Sequence, residues 1–239
     1  VNPTGWNALK ESIAGKIATA QVASTRNEPV IDGLVRKSLN LANDVPLTPE
    51  TIKQVRTRAY QAGYEPIATL GTMKTDSAFA GQLKFVADKY KGMERSFPGA
   101  TTDEVANLAK LYNKAEFDAG DALQASQFLR DKATEAFRKG DNGIGKAAKE
   151  ISKAIEDQVE RNLSASGASG ADVLRNFRDA RKLMAKSHTV EDALIEGGGT
   201  INPHKLAQRL QAGKPLDGEL KIIASFANNF PKAAQPAAQ

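Results

Sequence analysis

The chain has 239 residues, 41% of them apolar and 26% charged, with only 6% aromatic and no cysteine. That length can bury a core and form one large or two small domains. Without cysteine there are no disulfides and no thiolate chemistry. The net charge of +5 and a pI near 9.3 permit contact with nucleic acid or anionic lipid without arguing for either. No apolar run approaches the roughly 18 residues a membrane span needs; the longest is IIASFA, Ile222 to Ala227.

In chain order, a three-to-four-residue apolar period recurs almost throughout, and two-residue alternation almost nowhere. Trp6, Leu9, Ile13, Ile17 and Ala20 make the first stripe, and Pro29 to Leu41 reads as a second, short helix. In VPLTPE, Thr48 is a good N-cap and Pro49 fits the first helical position. Ile52, Val55, Ala59 and Ala62 share the next face, and Pro66 ends or kinks that helix. Phe79, Leu83, Val86, Tyr90 and Met93 follow, closed by Phe97 to Gly99. Thr101 and Glu104 have capping-box spacing ahead of Val105, Leu108 and Tyr112.

Two long helices are expected next, from about Asp118 to Lys139 and from about Ile144 to Leu163. The second carries Ile151, Ile155, Val159 and Leu163 at intervals of four. SASGASG reads as a flexible joint before a helix from about Ala171 to Ile195, stopped by Gly197 to Gly199. Asn202 with Pro203 restarts a helix through Leu210, and Asp217 caps a last one through Ala227. The expected fold is all-α: about nine helices in an elongated or multi-part bundle, with no significant β-sheet. The expected regions are an N-terminal helical part (1–100), a central long-helix bundle (101–195) and a C-terminal part with short helices and an Ala/Pro/Gln-rich tail (196–239). The start at Val1 and the tail KAAQPAAQ read as ends cut from a longer polypeptide.

Few motifs invite chemistry. GDNGIGKAAKE, Gly140 to Glu150, has the G-x-x-x-x-G-K spacing that cradles phosphates. A P-loop requires a strand before the glycines and a Ser or Thr after the lysine; here FLRDKATEAFRKG is helical and Ala147 follows Lys146. The reading is a helix-to-helix turn, with Gly140 in a left-handed conformation and Asp141 or Asn142 as the next cap. EGGGTINPHK reads as a corner of the same kind. His188 and His204, the only histidines, are too few for a zinc site, and no G-x-S-x-G accompanies them. No catalytic residue, cofactor site, metal site or small-molecule substrate is assigned. On DVLRNFRDARKLMAK, Val173, Phe177, Ala180 and Met184 share one face. Arg175, Arg178, Lys182 and Lys186 lie on the other, a stripe able to track phosphates unless Asp172 and Asp179 neutralise it.

Three stretches resemble a family encoded in tailed-phage and prophage genomes beside head and tail genes. They are TAQVASTRNEP, DVPLTPETIKQVRTRAYQAGYEPIA and, most similar, the run NFRDARKLMAKSHTVEDALIEGGGTINPHKLAQRLQAGKPLDGELKIIASFANNFPKAAQ. The resemblance implies a non-enzymatic structural part of the phage particle, an internal or ejection protein located in the virion and delivered toward the host envelope with the genome. Implied partners are copies of itself, portal or tail proteins, and packaged DNA through nonspecific phosphate contacts. The alternatives are a peptidoglycan-cleaving virion enzyme, resting only on abundant helix-borne carboxylates, and a weak nonspecific DNA-binding helical module. For self-association the likeliest faces are Trp6 to Ala20 and the final helix with Phe226 and Phe230.

Overall fold

A computed structural model describes residues 22–94, 102–197 and 199–236. The Trp6–Ala20 stripe, the Phe97–Gly99 turn and Thr101 lie outside these residues, as do the side chains of Tyr90 and Met93. The fold is all-helical. Helix α1 occupies residues 22–38. Then come α2 (Pro49–Gly63), α3 (Glu65–Ala68), β1 (Thr72–Lys74), α4 (Ser77–Glu94), α5 (Thr102–Tyr112) and β2 (Glu116–Asp118). The chain continues with α6 (Ala119–Arg138), α7 (Asn142–Ala165), α8 (Ala168–Ala193), α9 (Pro203–Gln211) and α10 (Gly218–Asn229).

The chain forms two compact units. One takes the described residues up to Ala59 and those from Arg181 onward; the other is Tyr60–Ala180.

The first unit is built around aliphatic side chains distant in sequence. Ile31, Val35 and Leu39 of α1 and its cap meet Ile52 and Val55 of α2, Val190 of α8, Ile201, Leu206 of α9, and Leu220 and Ile223 of α10. Helix α1 runs through Pro29 instead of starting there: one missing N–H is tolerated where Ile31 and Val35 anchor the same helix in the core. It ends in a Schellman motif with Asn40 left-handed (φ 54°), Leu41 N–H reaching Arg36 O at 2.9 Å. Thr48 caps α2, accepting from Thr51 N–H at 3.1 Å, and Asn202 caps α9, accepting from His204 N–H at 3.0 Å. Asp217 holds the N-cap position of α10 but makes no capping bond. Its carboxylate lies 3.5 Å from Lys186 Nζ instead.

The Tyr60–Ala180 unit centres on α7, whose Ile151, Ile155, Val159 and Leu163 are all buried, with α4, α5 and α6 packed against it. Asp118 and Asp141 cap α6 and α7, accepting from Asp121 N–H at 3.2 Å and Ile144 N–H at 3.1 Å. The α2 face departs from the expected pattern: Ala62 is exposed and Gly63 is buried in its place. A Cβ at Gly63 would stand 2.3 Å from Ala180 Cβ and 2.8 Å from Asn176 O, so only glycine admits this approach of α8. The joint at SASGASG is also tighter than expected. Only Ser166 and Gly167 separate α7 from α8, and a Cβ at Gly170 would meet Leu163 O at 2.5 Å.

A small antiparallel ribbon escaped the sequence reading. Thr72 pairs with Asp118, Met73 with Phe117 and Lys74 with Glu116. Each strand has three residues, too few for alternation to register.

Candidate functional site

The four α8 cations do not form a uniform bare stripe. Arg175 pairs with Asp172 at 2.9 Å on its own helix. Arg178 Nε donates to Glu160 Oε1 of α7 at 2.5 Å. Both belong to the Tyr60–Ala180 unit. In the other unit, Lys186 is three-quarters buried beside Asp217, while Lys182 is exposed and pairs with no carboxylate among the described residues. The neutralising groups therefore come mostly from other elements, and Asp179 is not among them. The shallow cleft next to Arg178, about 270 Å³, is walled by Asp157, Glu160 and Arg161 as well. Carboxylates there repel a phosphate as much as the arginines attract one. Exposed pairs of this kind contribute at most about 1 kcal/mol, so an arginine can exchange its carboxylate for a polyanion at low salt.

Both glycine corners are structural. Gly140 is left-handed (φ 82°), and Asp141 N–H closes a Schellman motif on Ala136 O at 2.9 Å. A Cβ at Gly145 would meet the Phe137 ring at 2.7 Å, so that glycine serves helix packing. At the second corner Gly199 N–H donates to Leu47 O at 3.0 Å, and Leu194 bridges Ile201.

The acidic neighbours of His188 are already engaged. Arg56 grips Glu191 with two bonds, 2.6 and 2.8 Å, and holds its carboxyl below the ordinary value. His188 Nδ1 stands 3.7 Å from the same carboxylate and is mostly exposed. Among the described residues no group of three or more His, Asp or Glu could hold a metal ion.

The chemically most concentrated place was not singled out in the sequence. In the Tyr60–Ala180 unit, the buried Glu156 carboxylate accepts from Arg130 and, at 3.2 Å each, from Tyr64 Oη and Ser126 Oγ. Ser152 Oγ lies 2.8 Å from Ser126 Oγ and donates to Ser126 O at 3.0 Å. Burial alone would lower the Arg130 pKa, but Glu156 and the Tyr64 oxygen outweigh it and raise the value. Phe177 meets the Tyr64 ring edge-on at 5.0 Å and closes one side. Three donors converge on one Glu156 oxygen, two of them from α6, so the cluster fastens α6 to α7. The signal was present: Ser126 with Arg130, and Ser152 with Glu156, are i, i+4 polar pairs on otherwise apolar helix faces.

A second polar link joins the ribbon to α7. Arg161 contacts Asp76 at 2.6 and 3.0 Å, Asp76 also caps α4 through Phe79 N–H at 2.8 Å, and Gln158 and Asn162 both donate to Lys74 O. The Arg161 bonds hold the Asp76 carboxyl below its ordinary value.

A wider groove, about 540 Å³, runs along α2 in the first unit, lined by Leu41, Ala42, Val45, Gln54 and Arg58. Asn40 and Thr57 complete its lining, so four of its seven residues are polar or charged. The chain matches no family model, no curated protein and no solved structure.

Proposed function

We propose that the chain is a non-enzymatic structural component of a bacteriophage particle: an internal or ejection protein, associated with the portal or tail, that takes part in genome delivery. The reading rests on the resemblance of residues 19–29, 44–68 and 176–235 to virion-associated phage proteins. The structural observation that supports it is the large apolar side chains left exposed on each unit. Phe85, Leu111 and Phe128 are 66%, 59% and 60% exposed in the Tyr60–Ala180 unit, and Ile222 and Phe230 are 58% and 60% exposed in the other. Surface of this kind is expected where a chain packs against further protein.

On this reading the partners are copies of the same chain and portal or tail proteins, and the buried polar cluster fixes helix register. Contact with packaged DNA through Lys182 and the neighbouring arginines is a lesser part of the proposal. Quantitative mass spectrometry of gradient-purified particles is the test. A fixed copy number per particle is expected; finding the chain in infected cells but never in particles would overturn the reading.

A further inference from the structure

The basic character of the chain lies in one of its units. Residues 1–59 and 181–239 hold 16 Lys and Arg against 10 Asp and Glu, whereas residues 60–180 hold 17 against 18. In the first unit, lysines from three parts of the fold meet at the start of α10. Lys186 Nζ of α8 lies 3.5 Å from the Asp217 carboxylate and would stand 3.8 Å from a Cβ at Gly218. Lys37 of α1 pairs with Glu219 at 3.4 Å. The Glu219 carboxyl is held below its ordinary value by its own backbone N–H and then by Lys37 and Lys186, so both lysines act on one carboxylate. Lys182 precedes Lys186 by one turn on the same face of α8, and Lys221 follows Gly218 by one turn on the same face of α10. Lys214, in the α9–α10 loop, is three residues before Asp217 and so within about 10 Å of it. Five lysines thus stand around two carboxylates. Lys182, Lys214 and Lys221 are exposed and pair with no carboxylate among the described residues.

We propose that this lysine face holds the phosphate backbone of duplex DNA without regard to sequence. The proposal rests on the virion reading for its source of polyanion, packaged DNA, and deepens it by placing the contact in the first unit instead of along the whole α8 stripe. That stripe crosses into a unit with no excess of positive charge, where Arg175 and Arg178 meet carboxylates. At the start of α10 the cations outnumber the carboxylates, so a polyanion gains attraction that the resident acids do not cancel. Lysine suits such a contact: a compact charge on a flexible stem follows phosphates and does not read base edges. None of the residues named in this face is aromatic, so it offers no ring on which an unstacked base could lie, which favours a duplex over a single strand.

Fluorescence anisotropy of a dye-bearing random-sequence duplex, titrated with the full chain between about 50 and 200 mM salt, tests this. Weak binding that falls steeply with salt is expected. Replacing Lys182, Lys214 and Lys221 with Gln should weaken it by about tenfold or more at the lowest salt. The slope of log K against log salt should drop by about 2 to 3, near one released counterion per lysine. Replacing Lys110, Lys146 and Lys149, exposed in the other unit, removes the same charge and should leave the slope unchanged. Circular dichroism checks that both variants fold. Should a triple variant not fold, the single changes take its place, each of the three face lysines lowering the slope by about one. Equal losses from the two triple variants would overturn the proposal, since net charge alone would then account for binding. No binding at about 50 mM salt would overturn it as well. Binding to vesicles of equimolar phosphatidylcholine and phosphatidylserine but not to the duplex would overturn DNA as the partner. Absence of the chain from purified particles would overturn the virion reading alone and leave a measured lysine-dependent binding standing.

Discussion

Each unit buries a carboxylate, and the two are handled differently. Glu156, in the Tyr60–Ala180 unit, faces Arg130 and two hydroxyls on neighbouring elements. Asp32, in the other unit, accepts from the Thr200 hydroxyl at 3.0 Å and from the Ile201 backbone N–H, with Arg36 adding a weaker attraction and Glu28 a repulsion. Burial therefore raises the Asp32 pKa above its ordinary value of 3.8, the bond from Thr200 opposing but not cancelling it. The surroundings follow the same division. The first unit is an aliphatic core assembled from both ends of the described chain, while the second is a continuous segment whose α6–α7 contact is threaded with polar bonds. A buried charge is tolerated where a countercharge is supplied; where only a dipole is supplied, the group resists ionisation.

The sharpest way to break this comparison is to remove aliphatic volume from the first unit. Leu206→Ala, at a fully buried α9 position shared by four other elements, should lower stability by about 3–4 kcal/mol in urea unfolding. In the second unit Glu156→Ala should cost about 3 kcal/mol, because it leaves the largely buried Arg130 guanidinium without its carboxylate. The double change of Glu156→Leu with Arg130→Met should recover most of that loss; a double variant as weak as the single would contradict the pairing. Gly63→Ala should cost about 2 kcal/mol by forcing α8 away from α2, read from the thermal midpoint.

The Asp32→Asn change should have a smaller effect of opposite sign. A carboxyl whose pKa is raised on folding contributes stability below its unfolded value, and that contribution is lost as pH rises through the folded value. Asparagine keeps the acceptor for Thr200 and removes the desolvated charge. The variant should therefore unfold at a higher temperature than wild type at pH 7, with the advantage shrinking as pH falls through the raised folded value toward 3.8. Equal midpoints at every pH would show that Asp32 is not desolvated. The least effect is expected on DNA. With three of the four α8 cations paired, binding should be weak and sequence-indifferent, and replacing Arg175, Arg178, Lys182 and Lys186 with Gln should flatten its salt dependence by less than four counterions.

What the sequence made legible was local. Thr48, Asp141 and Asn202 cap helices because each needs only a backbone N–H two or three residues away, and Gly140 is left-handed because its own motif requires it. Asp217 shows the limit of that logic: it occupies a cap position, but a lysine distant in sequence competes for its carboxylate. The sequence places a helix start at Pro29, whereas burial of Ile31 and Val35 carries α1 through it. The exchange of Ala62 for Gly63 on the α2 face is set by the approach of α8, which periodicity cannot register. The α8 cations were legible as a helical face, but Glu160 and Asp217, which answer Arg178 and Lys186, become neighbours only on folding. The Glu156 cluster was only half legible: its i, i+4 pairs lie on α6 and α7, but Tyr64, before α3, joins them only on folding.

The most direct test of the virion proposal compares intact particles with particles emptied of DNA. In intact, protease-treated particles the chain should be present and protected, and after triggered DNA release it should be depleted relative to the major capsid protein. An unchanged ratio after release, or digestion of the chain in intact particles, would contradict an internal, ejected protein.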